Sequence, residues 1–292
     1  MIFVTDFDGT LYRDDRTISN VDIETIEKLG KLNVKRVIAT GRSFYSALKV
    51  IPEHFPIDYL IFSSGAGVME WENKKIIKTY SLNKTQIENT VKILIENKCD
   101  FMLHKKIPDN HYFYYHKSSN SSSAAEGDFD KRRSIYSAYS EELDDAAVAD
   151  LEEACQFVVV IPYNTLLSHT EIYEDLKEKL KKTEGLHIIR ATSPIDKKTL
   201  WIEIFPEGVS KAHGIKTIAD RLFLDYNSTA ALGNDFNDLD MLRWVKNPFV
   251  VENAPMELKK EFITVKSNNE NGFTDAVNKY LDIKNLTNAG DE

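Results

Sequence analysis

Two carboxylates set two residues apart open this chain. Asp6-Phe7-Asp8-Gly9-Thr10-Leu11 directly follows the apolar, β-prone run Ile2-Phe3-Val4. Alternate residues of an extended segment face the same side, so Asp6 and Asp8 can converge on one small volume. Two such carboxylates repel, and a hard cation such as Mg²⁺ relieves the repulsion. The pair also suits a division of labour, one acid as a nucleophile that carries a phosphoryl group and the other as general acid and base. Three more polar clusters follow apolar runs or caps. Thr40-Gly41-Arg42 ends the run from Val34 to Ala39, and a hydroxyl with an unobstructed backbone N–H at a helix start can bind a phosphoryl oxygen. Lys211, just after the capping residue Ser210, brings an ammonium able to neutralise phosphate and nearby carboxylates. Gly233-Asn234-Asp235-Phe236-Asn237-Asp238 follows Ala230-Ala231-Leu232 and supplies oxygen ligands for a hard metal and no soft ones. Each cluster alone also fits an ordinary strand-to-helix turn with capping residues. Jointly, at the carboxyl ends of predicted strands, they mark the place where open α/β sheets bind ligands.

The elements that must position these residues can be read from periodicity. Ile2-Phe3-Val4, Val34 to Ala39 and Tyr59-Leu60-Ile61-Phe62 are short buried runs closed by turn signals, which predict parallel-sheet strands. Between them lie a helix capped at Ser19 or Asn20 that carries Ile23, Ile26 and Leu29, and a helix with Phe44, Leu48 and Ile51 that stops before Pro52. Strand, helix, strand, helix, strand is the pattern of a doubly wound, mainly parallel, Rossmann-like α/β sheet. After about residue 82 the pattern changes. Ile87, Val91, Leu94 and Ile95 form one helical stripe, then come Phe101 to His104, the hairpin-like Tyr112 to Tyr115, a Ser-rich loop from Ser118 to Asp128, a strand over Phe157 to Ile161, a charged helix over Thr170 to Lys182, and a strand at His187 to Arg190. The first pattern is expected to return with Leu200 and Trp201 to Phe205, and to continue through Phe249 to Val251 and Phe262 to Val265. The simplest arrangement is one α/β core, residues 1–82 and 191–292, interrupted by an α+β domain over 83–190.

Composition narrows the partners. The 292 residues carry 46 acidic and 37 basic side chains, a net charge of −9, so a phosphate-neutralising nucleic-acid groove is disfavoured. A content of 42% hydrophobic and 28% charged residues supports a packed globular core. No apolar run approaches the length of a membrane span and the first residues do not form a secretory signal, so a cytoplasmic location is expected, with no membrane partner. Cys99 and Cys155 do not make a disulfide framework, and His104, His111 and His116 match no strong metal-ligand spacing. Lys131-Arg132-Arg133 reads as a solvated charge run.

On these residues the chain resembles the haloacid dehalogenase (HAD) superfamily, and most of all its Cof-type phosphatases with a large α/β cap. The resemblance is carried by Asp6-Phe7-Asp8-Gly9-Thr10-Leu11, Ala39-Thr40-Gly41-Arg42, Glu203-Ile204-Phe205-Pro206-Glu207-Gly208-Val209-Ser210-Lys211, the stretch from Leu232 to Leu242, and Ser267-Asn268-Asn269-Glu270-Asn271-Gly272. It spans both outer segments; the middle is similar only in its placement. The resemblance implies that Asp6 attacks phosphorus, and that Asp8 protonates the leaving oxygen and then activates water. It implies Mg²⁺ held by Asp6, the backbone carbonyl of Asp8 and the motif after Leu232. Thr40, the Gly41 backbone and Lys211 would hold the phosphoryl group, with Asn237 assisting. Asp238 would orient metal-bound water or Lys211, or join the metal set. Asn234 stands where the family usually has an aspartate, so Asn234, Asp235 and Asp238 remain alternative metal ligands. The implied activity is a Mg²⁺-dependent phosphatase acting on small phosphate esters, sugar phosphates first, with the middle domain as a lid that selects the leaving group. A phosphomutase on the same core and a non-enzymatic phosphometabolite-binding protein are the alternatives.

Overall fold

Every residue of Ile2–Asp6 is buried, the mark of a strand covered on both faces, and this segment forms β1. In this computed structural model all residues are described except 119–126, 163–164, 166, 194, 197 and 285–292. After β1 come α1 (Asn20–Lys31), β2 (Lys35–Ala39), α2 (Phe44–Val50), β3 (Tyr59–Phe62), β4 (Gly67–Glu70) and β5 (Lys75–Thr79). The Ser19 hydroxyl accepts from the Asp22 N–H and caps α1, so of the two expected caps Ser19 is the one used. A central stretch then gives β6 (Leu82–Asn83), α3 (Lys84–Glu96), β7 (Asp100–Lys105), β8 (Phe113–His116), α4 (Asp128–Ile135), β9 (Ser140–Glu142), α5 (Asp145–Asp150), β10 (Glu153–Ile161), α6 (His169–Leu180), β11 (Leu186–Thr192) and β12 (Leu200–Pro206). The last stretch holds α7 (Lys211–Arg221), β13 (Thr229–Gly233), α8 (Leu239–Trp244), β14 (Asn247–Val251), α9 (Met256–Glu261), β15 (Ile263–Val265) and α10 (Gly272–Ile283).

The chain divides into two compact units. One holds Met1–Arg42, Ala47–Lys78 and Ser210–Glu292; the other holds Thr79–Val209 with the short piece Ser43–Ser46. The first unit contains an eight-stranded sheet in the order β15-β14-β13-β1-β2-β3-β4-β5. From β15 to β3 all neighbours are parallel, and β4 turns back antiparallel to β3. The chain leaves β1 toward β2 on one side, and β13 fills the other side, so the carboxyl end of β1 lies at a topological switch point.

The second unit has its own mixed sheet in the order β11-β12-β10-β7-β8-β9, with β6 also paired to β10. Strand alternation sorts its side chains into two cores. Phe101, Leu103, Phe157, Val159, Ile202 and Ile204 pack with Ile87, Val91 and Leu94 of α3 and with Leu176 and Leu180 of α6. Met102, Val158, Val160 and Trp201 point the other way and meet Phe129 of α4. The stripe on α3 is narrower than expected, because Ile95 is 45% exposed.

Three expectations need correction or placement. Leu200–Pro206, expected to rejoin the first sheet, pairs antiparallel with both β10 and β11 and belongs to the second sheet. All seven of its residues are buried, and such a strand reads alike in either sheet, so pattern alone could not assign it. The first unit therefore resumes at Ser210, not at residue 191. Arg132 is not simply solvated: its guanidinium lies 4.6 Å from the centre of the Trp201 ring and its Nε is buried. The expected Ser-rich loop lies for the most part outside the described residues.

One glycine matters for the site. Gly65 has φ +107°, and a Cβ there would sit 2.1 Å from the backbone oxygen of Ser210, the residue that caps α7. Gly65→Ala is expected to destabilise the protein by about 2 kcal/mol or more through strain and overlap. A urea titration checks this, and an unchanged midpoint would show that Ser210 and α7 yield freely.

Candidate active site

Asp6 ends β1 and is 4% exposed. Its Oδ1 accepts from Lys211 Nζ at 2.6 Å and its Oδ2 from the Thr10 hydroxyl at 2.9 Å. Thr10 reaches back because the loop folds tightly, with Tyr12 N–H donating to the Phe7 carbonyl at 2.8 Å and Gly9 at φ +74°. Lys211 is the first residue of α7, behind the Ser210 cap, and its ammonium is fully buried. The same Nζ donates to Asp238 Oδ1 at 2.6 Å. Asp238 Oδ2 in turn accepts from the backbone N–H groups of Asn234 at 2.7 Å and Asp235 at 3.2 Å. One ammonium thus ties the ends of β1 and β13 together.

The sequence-selected residues fall around this pair. Thr40 directly follows β2 next door, 1% exposed, and its hydroxyl accepts from the Arg42 N–H at 3.1 Å. A Cβ on Gly41 would lie 3.8 Å from Asn237 Nδ2, which puts Asn237 beside the Gly41 backbone. Asn237 Oδ1 is buried without a hydrogen-bond partner among the described residues. Asn234 donates through Nδ2 to the Asp8 backbone carbonyl at 3.1 Å. Asp8 turns its side chain to Arg42 in a two-bond ion pair, Nε to Oδ2 at 2.7 Å and Nη2 to Oδ1 at 2.6 Å. Asp6, Thr40, Gly41, Lys211, Asn237 and Asp238 therefore gather with the Asp8 backbone and Asn234 at the carboxyl ends of β1, β2 and β13.

Charge explains the electrostatics. Burial pushes the Asp6 carboxyl up to about 7, and the nearby negative charge of Asp238 adds to the rise, against the opposing Lys211 ammonium. Burial opposes the charge on Lys211, but Asp238 and Asp6 outweigh it and hold the ammonium above the ordinary lysine range. The cluster is thus short of positive charge.

That shortage bears on the Mg²⁺ expected from the sequence. Donor chemistry fits: the Asp6 carboxylate, the Asp8 carbonyl and the Asn234 amide oxygen are hard ligands. Asn234 sits 3.1 Å from the Asp8 carbonyl, close to the spacing of adjacent ligands on an octahedral ion with bonds of about 2.1 Å, and turning the amide would present its oxygen. Asp238 accepts on both oxygens, from Lys211 and from the 234–235 amides, just as Asp6 does from Lys211 and Thr10.

Several supporting residues carried no assignment in the sequence reading. Arg42 was visible in its motif but not as the partner of Asp8. Asn253, just past β14, donates to the Gly9 carbonyl at 2.9 Å and accepts from the Asn268 N–H at 3.0 Å. Its signal was the one used for the other clusters, a polar residue at the carboxyl end of an apolar strand. Asn269 and Asn271 bind the loop beyond Tyr12, through Asp14 N–H at 3.2 Å and Arg13 Nη2 at 2.6 Å.

Comparison with known proteins fits this geometry. The family described as haloacid dehalogenase-like hydrolase matches residues 3–277. The chain is 26% identical over 96% of its length, and 98% of the relative's, to a protein of Streptococcus pyogenes that carries a provisional phosphatase name. It is 25% identical over 94% of its length, and 96% of the relative's, to the 5-amino-6-(5-phospho-D-ribitylamino)uracil phosphatase YwtE of Bacillus subtilis. Its fold is similar to that of the phosphatase BT1666 of Bacteroides thetaiotaomicron, with TM-score 0.75 at 19% identity over 96% of this chain and 94% of that one. It is also similar to the subclass IIB sugar phosphatase BT4131, with TM-score 0.71 at 16% identity over 98% and 99%. The chain belongs to the haloacid dehalogenase-like hydrolases, in their Cof-type branch with an α/β cap, and is a phosphatase of that superfamily. No helix among the described residues is long and apolar enough to cross a membrane.

Two outcomes follow for the cluster. An acid whose carboxyl rises from 3.8 to about 7 on folding holds its proton more tightly in the folded state. Its contribution to stability is therefore present at low pH and is lost as pH climbs through that window. In metal-free urea titrations the stability of the wild type relative to Asp6→Asn should fall between about pH 4 and pH 7, and a pH-independent difference would refute the raised value. Lys211→Met leaves two buried carboxylates without their cation and is expected to cost about 3–5 kcal/mol, read from the same titrations.

Proposed function

We propose that the protein is a Mg²⁺-dependent phosphatase that hydrolyses small phosphorylated metabolites, sugar and sugar-alcohol phosphates first, through a phosphoryl group carried on Asp6. The observation that carries the reading is the buried Asp6 carboxylate held at the end of the central strand by Lys211 and Thr10. A surface capping residue would be exposed and would need no buried ammonium. The named activities of YwtE, on a phosphorylated ribityl compound, and of BT4131, a sugar phosphatase, support the substrate class.

In this reading an oxygen of Asp6 bonds to phosphorus as the ester P–O bond breaks, and Asp8 gives a proton to the departing oxygen. Asp8, now a carboxylate, takes a proton from water as the water oxygen bonds to phosphorus and the bond to Asp6 breaks. Phosphate leaves and both acids return to their starting forms. Thr40, the Gly41 N–H and Asn237 hold the non-bridging oxygens, and Lys211 balances charge on Asp6 and the phosphoryl group. Mg²⁺, when held by Asp6, the Asp8 carbonyl and Asn234, would supply further neutralisation of phosphoryl charge.

Phosphate release from a panel of sugar phosphates, sugar-alcohol phosphates and p-nitrophenyl phosphate tests this. Release should require Mg²⁺, stop on chelation, and fall by about 10³-fold or more in Asp6→Asn. Release that is indifferent to Asp6 would overturn the mechanism. Isomerised sugar phosphate without net phosphate release would favour a mutase.

A further inference from the structure

The Thr10 hydroxyl can hold Asp6 only while the backbone that carries it is held. The peptide joining Gly9 to Thr10 has two hydrogen-bonding atoms. Its N–H, on Thr10, donates to the Phe7 carbonyl at 3.3 Å, longer than the usual range. Its carbonyl, on Gly9, accepts from Asn253 Nδ2 at 2.9 Å. Gly9 stands at φ +74° with no side chain to resist rotation, so the shorter bond is the firmer hold on this peptide. The peptide before it is fixed separately, by the Gly9 N–H on the Tyr12 carbonyl and by Asn234 on the Asp8 carbonyl, each at 3.1 Å. Asn253 is itself aimed from behind. Its Oδ1 accepts from the Asn268 N–H at 3.0 Å. Asn268 is 2% exposed, in a turn closed by the N–H groups of Glu270 and Gly272 on the Ser267 carbonyl, each at 3.0 Å.

We infer that Asn253 is a positioning residue for phosphoryl transfer: through the Gly9–Thr10 peptide it sets the Thr10 hydroxyl on Asp6 Oδ2 and so fixes the direction of the Asp6 carboxylate. The inference rests on the phosphatase reading, in which Asp6 is the nucleophile. The chain of contacts runs from the Asn268 N–H to Asn253, from Asn253 to the Gly9 carbonyl, and from the Thr10 hydroxyl to Asp6 at 2.9 Å. It gives the late segment from Ser267 to Gly272 a task at the opposite end of the sequence. Asn253 is exposed, and a single hydrogen bond at such a position matters little to global stability. Attack on phosphorus is more demanding, since a displacement of about 1 Å costs on the order of 10²-fold in rate. Rate and stability therefore respond differently to the loss of this side chain.

A double-mutant cycle separates positioning from a general structural role. Wild type, Asn253→Ala, Thr10→Val and the double variant are assayed on the ester of the panel that the wild type turns over best, and each is titrated with urea. The ratio kcat/KM reads the half in which Asp6 attacks. In Asn253→Ala it should fall about tenfold, with a urea midpoint close to that of the wild type. In the Thr10→Val background the same substitution should lower it by less than about twofold, because the hydroxyl it acts through is already gone. Asn253→Asp keeps the acceptor for Asn268 but sets an oxygen against the Gly9 carbonyl. It should fall at least as far as the alanine variant, and it carries the test if that variant does not fold. An unchanged kcat/KM, or an equal fall with and without the Thr10 hydroxyl, overturns the inference while leaving the phosphatase reading intact. Wild type that releases no phosphate from any ester overturns both.

Discussion

The structure depends on one buried cation. Lys211 places its ammonium between Asp6 and Asp238 with none of the three side chains more than 6% exposed. Removing charges from water costs several kcal/mol per ion, and the cost is met only where geometry and hydrogen bonding are complete. Here the requirement shapes everything around it. Asp6 needs the Thr10 hydroxyl, so the loop after β1 must fold back; Asp238 needs the 234–235 amides, so the turn after β13 must tighten around it. The N-terminus of α7 must dock where Lys211 can reach both. Gly65 and the Ser210 cap are the local devices that allow that approach.

The same trio joins two acids in different surroundings. Asp6 and Asp238 both contact the ammonium, yet their other partners differ. Asp6 stands at the end of β1 and also accepts from the Thr10 hydroxyl. Asp238 is fully buried and accepts from Lys211 and from the backbone of the 234–235 turn. Asn234 sits on the third side, against the carbonyl of Asp8. A neutral residue there leaves the cluster less negative than an aspartate would, which eases the burden on a single lysine.

Much of this was legible in the residues. The β1 motif, the Thr40-Gly41 turn and the turn after Leu232 each follow an apolar strand, and a parallel sheet delivers strand ends to one edge, so short-range pattern was enough to bring them together. What was hidden depends on contacts between distant positions. Arg42 looks like one more charge at the start of a helix, and only its distance to Asp8 shows the ion pair. Arg132 sits in a basic run, yet Trp201, far away in sequence, takes its guanidinium. Leu200–Pro206 is buried throughout and apolar except at Glu203, and hydrophobicity cannot say which of two sheets receives such a strand; hydrogen-bond partners decide it.

The separation between Asp6 and Lys211, 205 positions along the chain, has a consequence for biosynthesis. Translation proceeds from the N-terminus, and domains generally fold as the chain emerges. While the ribosome is still making the central stretch, β1 has β2 as a partner, but β13 and α7 do not yet exist. The acid at its end then has β2 on one side but neither Lys211 nor β13 on the other. The second unit, drawn almost entirely from one continuous stretch, can become complete during that interval. The reactive centre is therefore a late product of synthesis, and a chain cut short between residues 206 and 238 carries every strand of the second sheet but lacks Asp238.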